Sequence, residues 1–412
     1  MPKKFHEMDR DERLYYLKKE AGLSDEEVAA LGNPLTFDDA NRMVENAVGI
    51  TSIPLGIATN FIINGTERLV PMAIEEPSVV AAASKAAKIA RLQGGFTADA
   101  DESYMTGQVQ VVSLSNVAAA KRKVLACKKE LLEIANSKSR SVAAVGLQAR
   151  ELRDGSPNRM GRMLVVELTA DTKDAMGANA INTMCEAIAP KIAEITGGEV
   201  VLKILSNYAT KRMVRCRAVF DKDELGGSEI VKRILYAYAL AYSDVYRAVT
   251  HNKGVMNGID AVALATGQDF RAIEASAHAY AAKDGAYRSL TRWWRTKGGH
   301  LAGEIELPLA VGIVGGVTAV HPTAKTALKI LGIKSAKELA MVMAAAGLAQ
   351  NLAAIRALAS EGIQKGHMRL HARNIAVMAG AKGEEIDVVA RKVADGPVTI
   401  DRAKQILDSL RK

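Results

Sequence analysis

Lys253 and Asp269 are the first residues in this sequence whose types and spacing suggest chemistry. Lys253 sits in THNKGVMNGID (250–260), inside a turn-prone HNKG run where a helix is not expected. Asp269 lies in a second turn signal, TGQD, ahead of an amphipathic helix. Between them, VMNGIDAVALAT is small and apolar and reads as a buried segment with polar ends. An ammonium held charged by a carboxylate and aimed at a developing oxyanion suits this pair. A surface lysine and a helix-capping aspartate that never meet suit the same spacing, so spacing alone leaves both readings open. Two further acids, Glu75 and Glu76, stand just before an Ala-rich helix, whose positive dipole end favours a carboxylate. At least one of such a pair is ordinarily solvated. His367 and His371, four apart, would share a helix face, but no Glu or Cys stands at ligand spacing and no metal is expected. A lone histidine there suits acid–base work or a surface position equally.

The elements that must position these residues can be read in order. Asp9–Gly22 and Ser24–Leu31 predict two short helices, the second opening on the capping-box spelling SDEE. Phe37–Val48 predicts a third. Strands with a hairpin at Asn64-Gly65 follow, then a helix with Pro77 at its first position and a stop at Gly94-Gly95. From 103 to 209 the order is strand, one long basic helix (Asn116–Asn136), two strands around RDGSPNRMG, a helix and a strand. That is the split βαβ, ferredoxin-like plan. The glycine of DAMGAN (174–179) lies where that second helix begins, a place where backbone can approach a phosphate, and an ordinary capped helix reads the same way. No GxGxxG occurs, so a Rossmann domain is not expected. Beyond 210 come a strand, helices on both sides of Lys253, one or two strands with a Gly-rich turn in HLAGEIELPLAVGIVGGVTAVH, and small-residue helices.

Composition sets the class. The chain has 412 residues, 49% hydrophobic and 25% charged, enough for two or three domains with aliphatic, helix-rich cores. The net charge of +9 is dispersed and suits anionic small molecules. Neither a basic stripe nor stacking aromatics supports nucleic-acid binding. Cys127, Cys185 and Cys216 are far apart and suggest neither disulfides nor a CxxC site. The charged start lacks a secretory h-region, and LPLAVGIVGGVTAV (307–320) is too short and Gly-rich to span a bilayer. A cytoplasmic protein with no membrane association is expected.

Six blocks occur in order and at matching intervals: ENAVG (45–49), IEEPSVVAAAS (74–84), DAMGAN (174–179), THNKGVMNGID (250–260), ATGQDFRA (265–272) and EGIQKGHMRLHARNIA (361–376). Together they resemble 3-hydroxy-3-methylglutaryl-CoA (HMG-CoA) reductase, of the bacterial and archaeal type, over essentially the whole chain. The resemblance implies an α+β protein. A helix-rich large domain (1–102 and 210–362) would carry an inserted ferredoxin-like nucleotide domain (103–209) and a C-terminal helical flap (363–412). It implies reduction of HMG-CoA to mevalonate and CoA, with Glu76, Lys253, Asp269 and His367 as the catalytic residues. Ser78, Arg247 and Asn257 match substrate-holding positions, and Asp174, Met176, Gly177 and Asn179 match the nicotinamide-cofactor motif. It further implies an active site at a dimer interface, with dimers building hexamers.

On that resemblance, Lys253 would neutralise and protonate the carbonyl oxygen at each hydride transfer, and Asp269 would keep it charged and link it to Glu76. A carboxyl sharing a site with Asp269 would have a raised pKa, fitting Glu76 as general acid. His367 would protonate the departing thiolate as the flap closes. NADH-selective members can carry an acid after the basic helix; here Ser139 stands in its place beside Arg140, which suits a 2′-phosphate and NADPH, or use of both cofactors. A solvated helix end at Lys138 and Arg140 is the plainer reading. Two alternatives stand beside reduction: the same site run as a mevalonate oxidase, and a silent ligand-binding relative, against which the four retained catalytic residue types argue.

Overall fold

The structure, a computed structural model, describes residues 3–32, 35–360 and 372–411. The chain starts with three short helices, α1 (Arg10–Ala21), α2 (Asp25–Ala30) and α3 (Phe37–Met43). Asp9, Ser24 and Thr36 each accept the third helical amide, and the acid at that third position returns the bond, so all three start on capping boxes. The third helix stops at Met43, short of Val48, because Val44 is already extended (φ −139°).

Strands β1 (Leu55–Ile63) and β2 (Thr66–Ala73) form the expected hairpin, with Asn64 and Gly65 both left-handed (φ 49° and 78°) as its two-residue turn demands. Helix α4 runs Val79–Arg91, so Pro77 is not its first residue. Ser78 is the N-cap instead, in the left-handed region at φ 74°, which turns the chain sharply between Glu76 and the helix. Strand β3 (Phe96–Ala100), unread in the sequence, carries the chain into the small sheet.

That sheet contains β4 (Tyr104–Val112), β5 (Ala143–Arg153), β6 (Arg162–Asp171) and β7 (Glu199–Ser206) in the antiparallel order β5-β6-β4-β7, which is the ferredoxin-like arrangement. Its two crossovers are α5 (Val117–Ala126) with α6 (Lys128–Asn136), and α7 (Ala178–Thr196). The single basic helix expected there is broken at Cys127 (φ −92°, ψ 12°), which lets each half lay its own apolar face on the sheet. Val124, Leu131, Ile181, Met184 and Ile188 fill the resulting core.

The chain then returns through β8 (Met213–Phe220), α8 (Lys222–Leu225), α9 (Ser228–Ser243), α10 (Val245–Ala265) and α11 (Phe270–Ala281). Strands β9 (Thr291–Arg295) and β10 (Leu301–Pro308) complete a six-stranded sheet ordered β2-β1-β3-β8-β10-β9. Next come α12 (Gly316–Val320), α13 (Pro322–Leu331) and α14 (Ala336–Ala359). Helix α14 is apolar and long enough to cross a membrane, but 78% of its most apolar window is buried inside the fold. It is the central core helix. The last described residues form a satellite of three helices, α15 (372–378), α16 (Glu385–Ala394) and α17 (Ile400–Arg411), around Val389, Val393 and Leu407.

The largest departure from the sequence expectation is at Lys253, which lies in the middle of α10 rather than in a turn. Packing overrides the poor helix propensity of HNKG and MNG. A Cβ at Gly258 would lie 2.5 Å from the carbonyl oxygen of Ala346, and one at Gly347 would lie 2.8 Å from Ile259. These glycines therefore let α10 and α14 approach closely. Asn252 faces inward, donating to the Arg288 carbonyl (2.8 Å) and accepting from the Leu290 amide (2.9 Å). His251 is buried against the Thr291 hydroxyl (2.7 Å). Burial, and next to it the charge of Arg247, pushes its pKa down to about 3, so it is a neutral core histidine.

Candidate active site

Two clusters of the sequence-predicted residues form in this chain, and they are separate. In the first, the left-handed turn at Ser78 brings Glu76 across to α10, where its carboxylate pairs with the Lys253 ammonium. Asn257, one turn further along the same helix face, donates to the same carboxylate oxygen (3.2 Å). The pair is open to one side, with the Lys253 side chain 59% and the Glu76 side chain 32% exposed. Ser78 is exposed, and its side chain makes no capping bond. Arg247, nearer the start of α10, is half-buried, and burial lowers its pKa. Among the described residues its guanidinium has no hydrogen-bond or ion-pair partner, which leaves an arginine fork free for a carboxylate.

Asp269 belongs to the second cluster. Its carboxylate caps α11 through the Ala272 amide (3.2 Å) and pairs with Arg271 (3.1 Å). No hydrogen bond or ion pair joins it to Lys253 or Glu76 among the described residues. The reason is the helix itself: Lys253 to Ala265 is continuous α10, about 18 Å at 1.5 Å per residue, with Asp269 beyond its end. The expected link from Asp269 through Lys253 to Glu76 is therefore not made within one chain. Among the described residues Glu76 faces the Lys253 cation rather than the Asp269 carboxylate.

Asp269 instead lines a cleft of about 560 Å³. One wall is Ser141, Val142 and Ala175–Ala180, which includes Met176, Gly177 and Asn179; the other is Gly267–Arg271, Gly312 and Val314–Thr318, with His321 beside it. Gly177 caps α7 at φ 92°, and a Cβ there would lie 2.2 Å from Thr172, so only glycine allows this corner. Gly312 brings the walls together, since its Cβ would lie 2.5 Å from the Met176 amide nitrogen. Gln268 holds Gly312 with two bonds, donating to its carbonyl (2.9 Å) and accepting from its amide (2.8 Å).

Asp174, placed by the resemblance in the cofactor motif, does not line this cleft. Its carboxylate accepts the Ala336 amide at the start of α14 (2.9 Å), and its carbonyl accepts the Ile313 amide (2.9 Å). It ties the two walls to the core helix. Arg212, which sequence reading passed over, does related work from below, donating to Thr172, Ala175 and Val311. Its burial lowers its pKa to about 10, which still leaves it charged. The run GIVGGVT was read only as a Gly-rich turn; its glycines were the available signal that backbone approaches something there. Ser139 accepts the Ser141 (3.3 Å) and Val142 (3.0 Å) amides and so shapes one end of the first wall, with Arg140 exposed beside it. His367 and His371 lie outside the described residues. Among the described residues no His, Cys, Asp and Glu cluster could hold a metal.

A larger cavity of about 950 Å³ lies over the outer face of the six-stranded sheet, but its charges are largely neutralised by one another. Arg215 pairs there with Asp99, Asp101 and Glu306, and Arg292 with Glu304. None of the candidate site residues lines it.

The chain thus carries an open lysine–carboxylate pair on the helix that also bears Arg247, and a glycine-walled cleft at a helix N-terminus. A family model described as hydroxymethylglutaryl-coenzyme A reductase matches residues 9–372. The chain belongs to this family. It is an oxidoreductase. The chain is 55% identical over 410 residues to the 3-hydroxy-3-methylglutaryl-coenzyme A reductase of Archaeoglobus fulgidus, covering 99% of this chain and 94% of that protein. A probable reductase of Borreliella burgdorferi is 39% identical, covering 82% and 80% of the two chains. Among solved structures, the class II reductase of Streptococcus pneumoniae bound to NADPH in open conformations is 40% identical, with a TM-score of 0.81 over 98% of this chain and all of that one (100%). A further pneumococcal reductase structure superposes at a TM-score of 0.83 with 39% identity, covering 98% of this chain and 99% of that one. The mixed helix-and-sheet architecture of the reductase is thus shared with solved members.

Proposed function

We propose that the chain reduces (S)-3-hydroxy-3-methylglutaryl-CoA to (R)-mevalonate and CoA, in the biosynthetic direction that feeds isoprenoids. The observation that carries this reading is Lys253 paired with Glu76 and braced by Asn257. Each reduction of the thioester, and then of the aldehyde, places negative charge on the former carbonyl oxygen. Lys253 is the cation positioned to neutralise that charge and deliver a proton. Glu76, when protonated, is the general acid for the aldehyde step. The Arg247 guanidinium, without a partner among the described residues, and the Ser78 hydroxyl take the substrate's distal carboxylate and its hydroxyl. His367 protonates the departing thiolate.

The cleft fits a dinucleotide. Gly177 opens the corner at the start of α7, where free amides and the helix dipole favour a pyrophosphate. Met176, Gly177 and Asn179 hold it, and Asp174 holds their wall. When bound, the reduced nicotinamide supplies the hydride. The pneumococcal relative is bound to NADPH, which supports a nicotinamide dinucleotide as a ligand of this chain. Ser139 and the exposed Arg140 favour NADPH, or both cofactors, over NADH alone.

A second copy of the chain completes the site. Asp269 at the cleft of one protomer would meet Lys253 and Glu76 of its partner, keep the lysine charged and raise the Glu76 pKa. Support comes from the 18 Å estimate along α10 and from an exposed apolar face where α9 meets α10. There Tyr236, Leu240, Tyr246 and Val249 are 67%, 55%, 85% and 50% exposed. The protein is then a cytoplasmic dimer, and the resemblance extends this to hexamers. The test is loss of nicotinamide absorbance with HMG-CoA and NADPH or NADH, wild type beside Lys253→Ala. Two cofactors consumed per thioester, abolished in the variant, is expected. Folded wild type that turns over with neither cofactor overturns the reading.

A further inference from the structure

We propose that His321 hydrogen-bonds the carboxamide of the nicotinamide, which makes it a cofactor-binding residue on the large-domain wall of the cleft. The proposal rests on the assignment of that cleft to a nicotinamide dinucleotide. His321 stands three residues beyond Thr318, the end of the GIVGGVT run, and lines the same cleft as Asp269, Gly177 and Thr318. It occupies the N-cap of α13, ahead of Pro322, but its side chain makes no capping bond. Its Nδ1 is buried and has no hydrogen-bond partner among the described residues. A buried polar atom without a partner costs free energy, so it persists where a ligand supplies the missing bond.

Electrostatics selects which part of the dinucleotide that is. Burial lowers the His321 pKa below the usual imidazole range. The positive end of α13, which the side chain flanks, opposes a charge on the ring in the same sense. A neutral imidazole contributes little to a pyrophosphate, which the amides at the start of α7 already suit. It has one donor and one acceptor nitrogen, and a carboxamide, with a carbonyl and an amino group, can satisfy either. Asp269 on the same cleft agrees with this end of the ligand, because the reacting ring must lie next to the proposed catalytic residues.

The test measures binding in the absence of HMG-CoA. NADPH affinity is read from nicotinamide fluorescence, and affinity for 2′-phospho-ADP-ribose, which lacks the nicotinamide, from calorimetry. The proteins are wild type, His321→Ala and His321→Gln, with Tm as the check on folding. His321→Ala is expected to weaken NADPH by about 3- to 10-fold, the net worth of one hydrogen bond. The nicotinamide-free fragment should change less than about twofold, and the side-chain amide of His321→Gln should recover much of the NADPH loss. Unchanged NADPH affinity in His321→Ala, or equal losses for both ligands, overturns the assignment. Wild type that binds neither ligand would instead overturn the reading of the cleft, and His321 with it.

Discussion

Gly312→Ala is the sharpest perturbation of the cleft that leaves every polar group in place. The backbone at Gly312 is not left-handed, so the substitution is limited by space alone. The new Cβ would lie 2.5 Å from the Met176 nitrogen, 3.0 Å from the Ala175 carbonyl carbon and 3.2 Å from the Asp174 oxygen. All three are backbone atoms that cannot rotate away. Restoring ordinary contact requires the walls to part by about 1 Å, a misplacement that can cost up to about 100-fold where geometry is critical. The same shift strains the paired bonds from Gln268 and the Ile313–Asp174 bond. Nucleotide affinity of the folded protein should fall at least about 10-fold. Overpacking of this kind costs about 1–3 kcal/mol, so Tm should fall by several degrees. KM for HMG-CoA should change much less, since Glu76 and Lys253 do not touch Gly312. A folded Gly312→Ala variant with wild-type nucleotide affinity would refute the reasoning that this contact shapes the cofactor site.

Other outcomes follow from single contacts. Asp260 is half-buried on α10 with one carboxylate oxygen unpartnered among the described residues, and burial and then Glu274 raise its pKa, while the His278 contact lowers that of Glu274. The folded pair therefore keeps a proton that the unfolded chain releases near pH 4, so this contribution is present below pH 4 and is lost as pH rises through the raised pKa, by at most about 1.4 kcal/mol per pH unit. Asp260→Asn should flatten the decline of Tm between pH 6 and 8; an unchanged slope refutes the shared proton. Ser78→Gly relieves a left-handed residue and should stabilise by up to about 1 kcal/mol while raising KM for HMG-CoA. A lower Tm would refute strain at that turn. Ser139→Asp can still accept the Ser141 and Val142 amides while adding a charge, so it should shift the NADPH to NADH ratio of kcat/KM about 10-fold or more toward NADH. An unmoved ratio removes Ser139 from cofactor selection.

Much of this was legible in the sequence because its signals were local. The capping box at Ser24, the Asn64-Gly65 hairpin and the strands of the small sheet depend on neighbouring residues, and they formed as read. The helix at Lys253 was not legible, because HNKG spells a turn until α14 is packed against Gly258. The same blindness hid β9, whose Trp293 and Thr291 are buried by long-range packing and hydrogen bonds to Asn351. In the candidate site, residue identities came from motif order, whereas their grouping did not. Nothing in the spacing of Lys253 and Asp269 says that a continuous helix separates them, and that fact is what turns one expected cluster into two.

Mixed dimers test the central claim most directly, namely that Lys253 and Glu76 of one protomer work with Asp269 of the other. Lys253→Ala and Asp269→Asn chains, each inactive alone, are co-expressed with different tags and assayed together. If the site spans two chains, each mixed dimer holds one intact site, and statistical mixing should restore about a quarter of wild-type activity. Confirmed mixed dimers with no recovery would contradict the account.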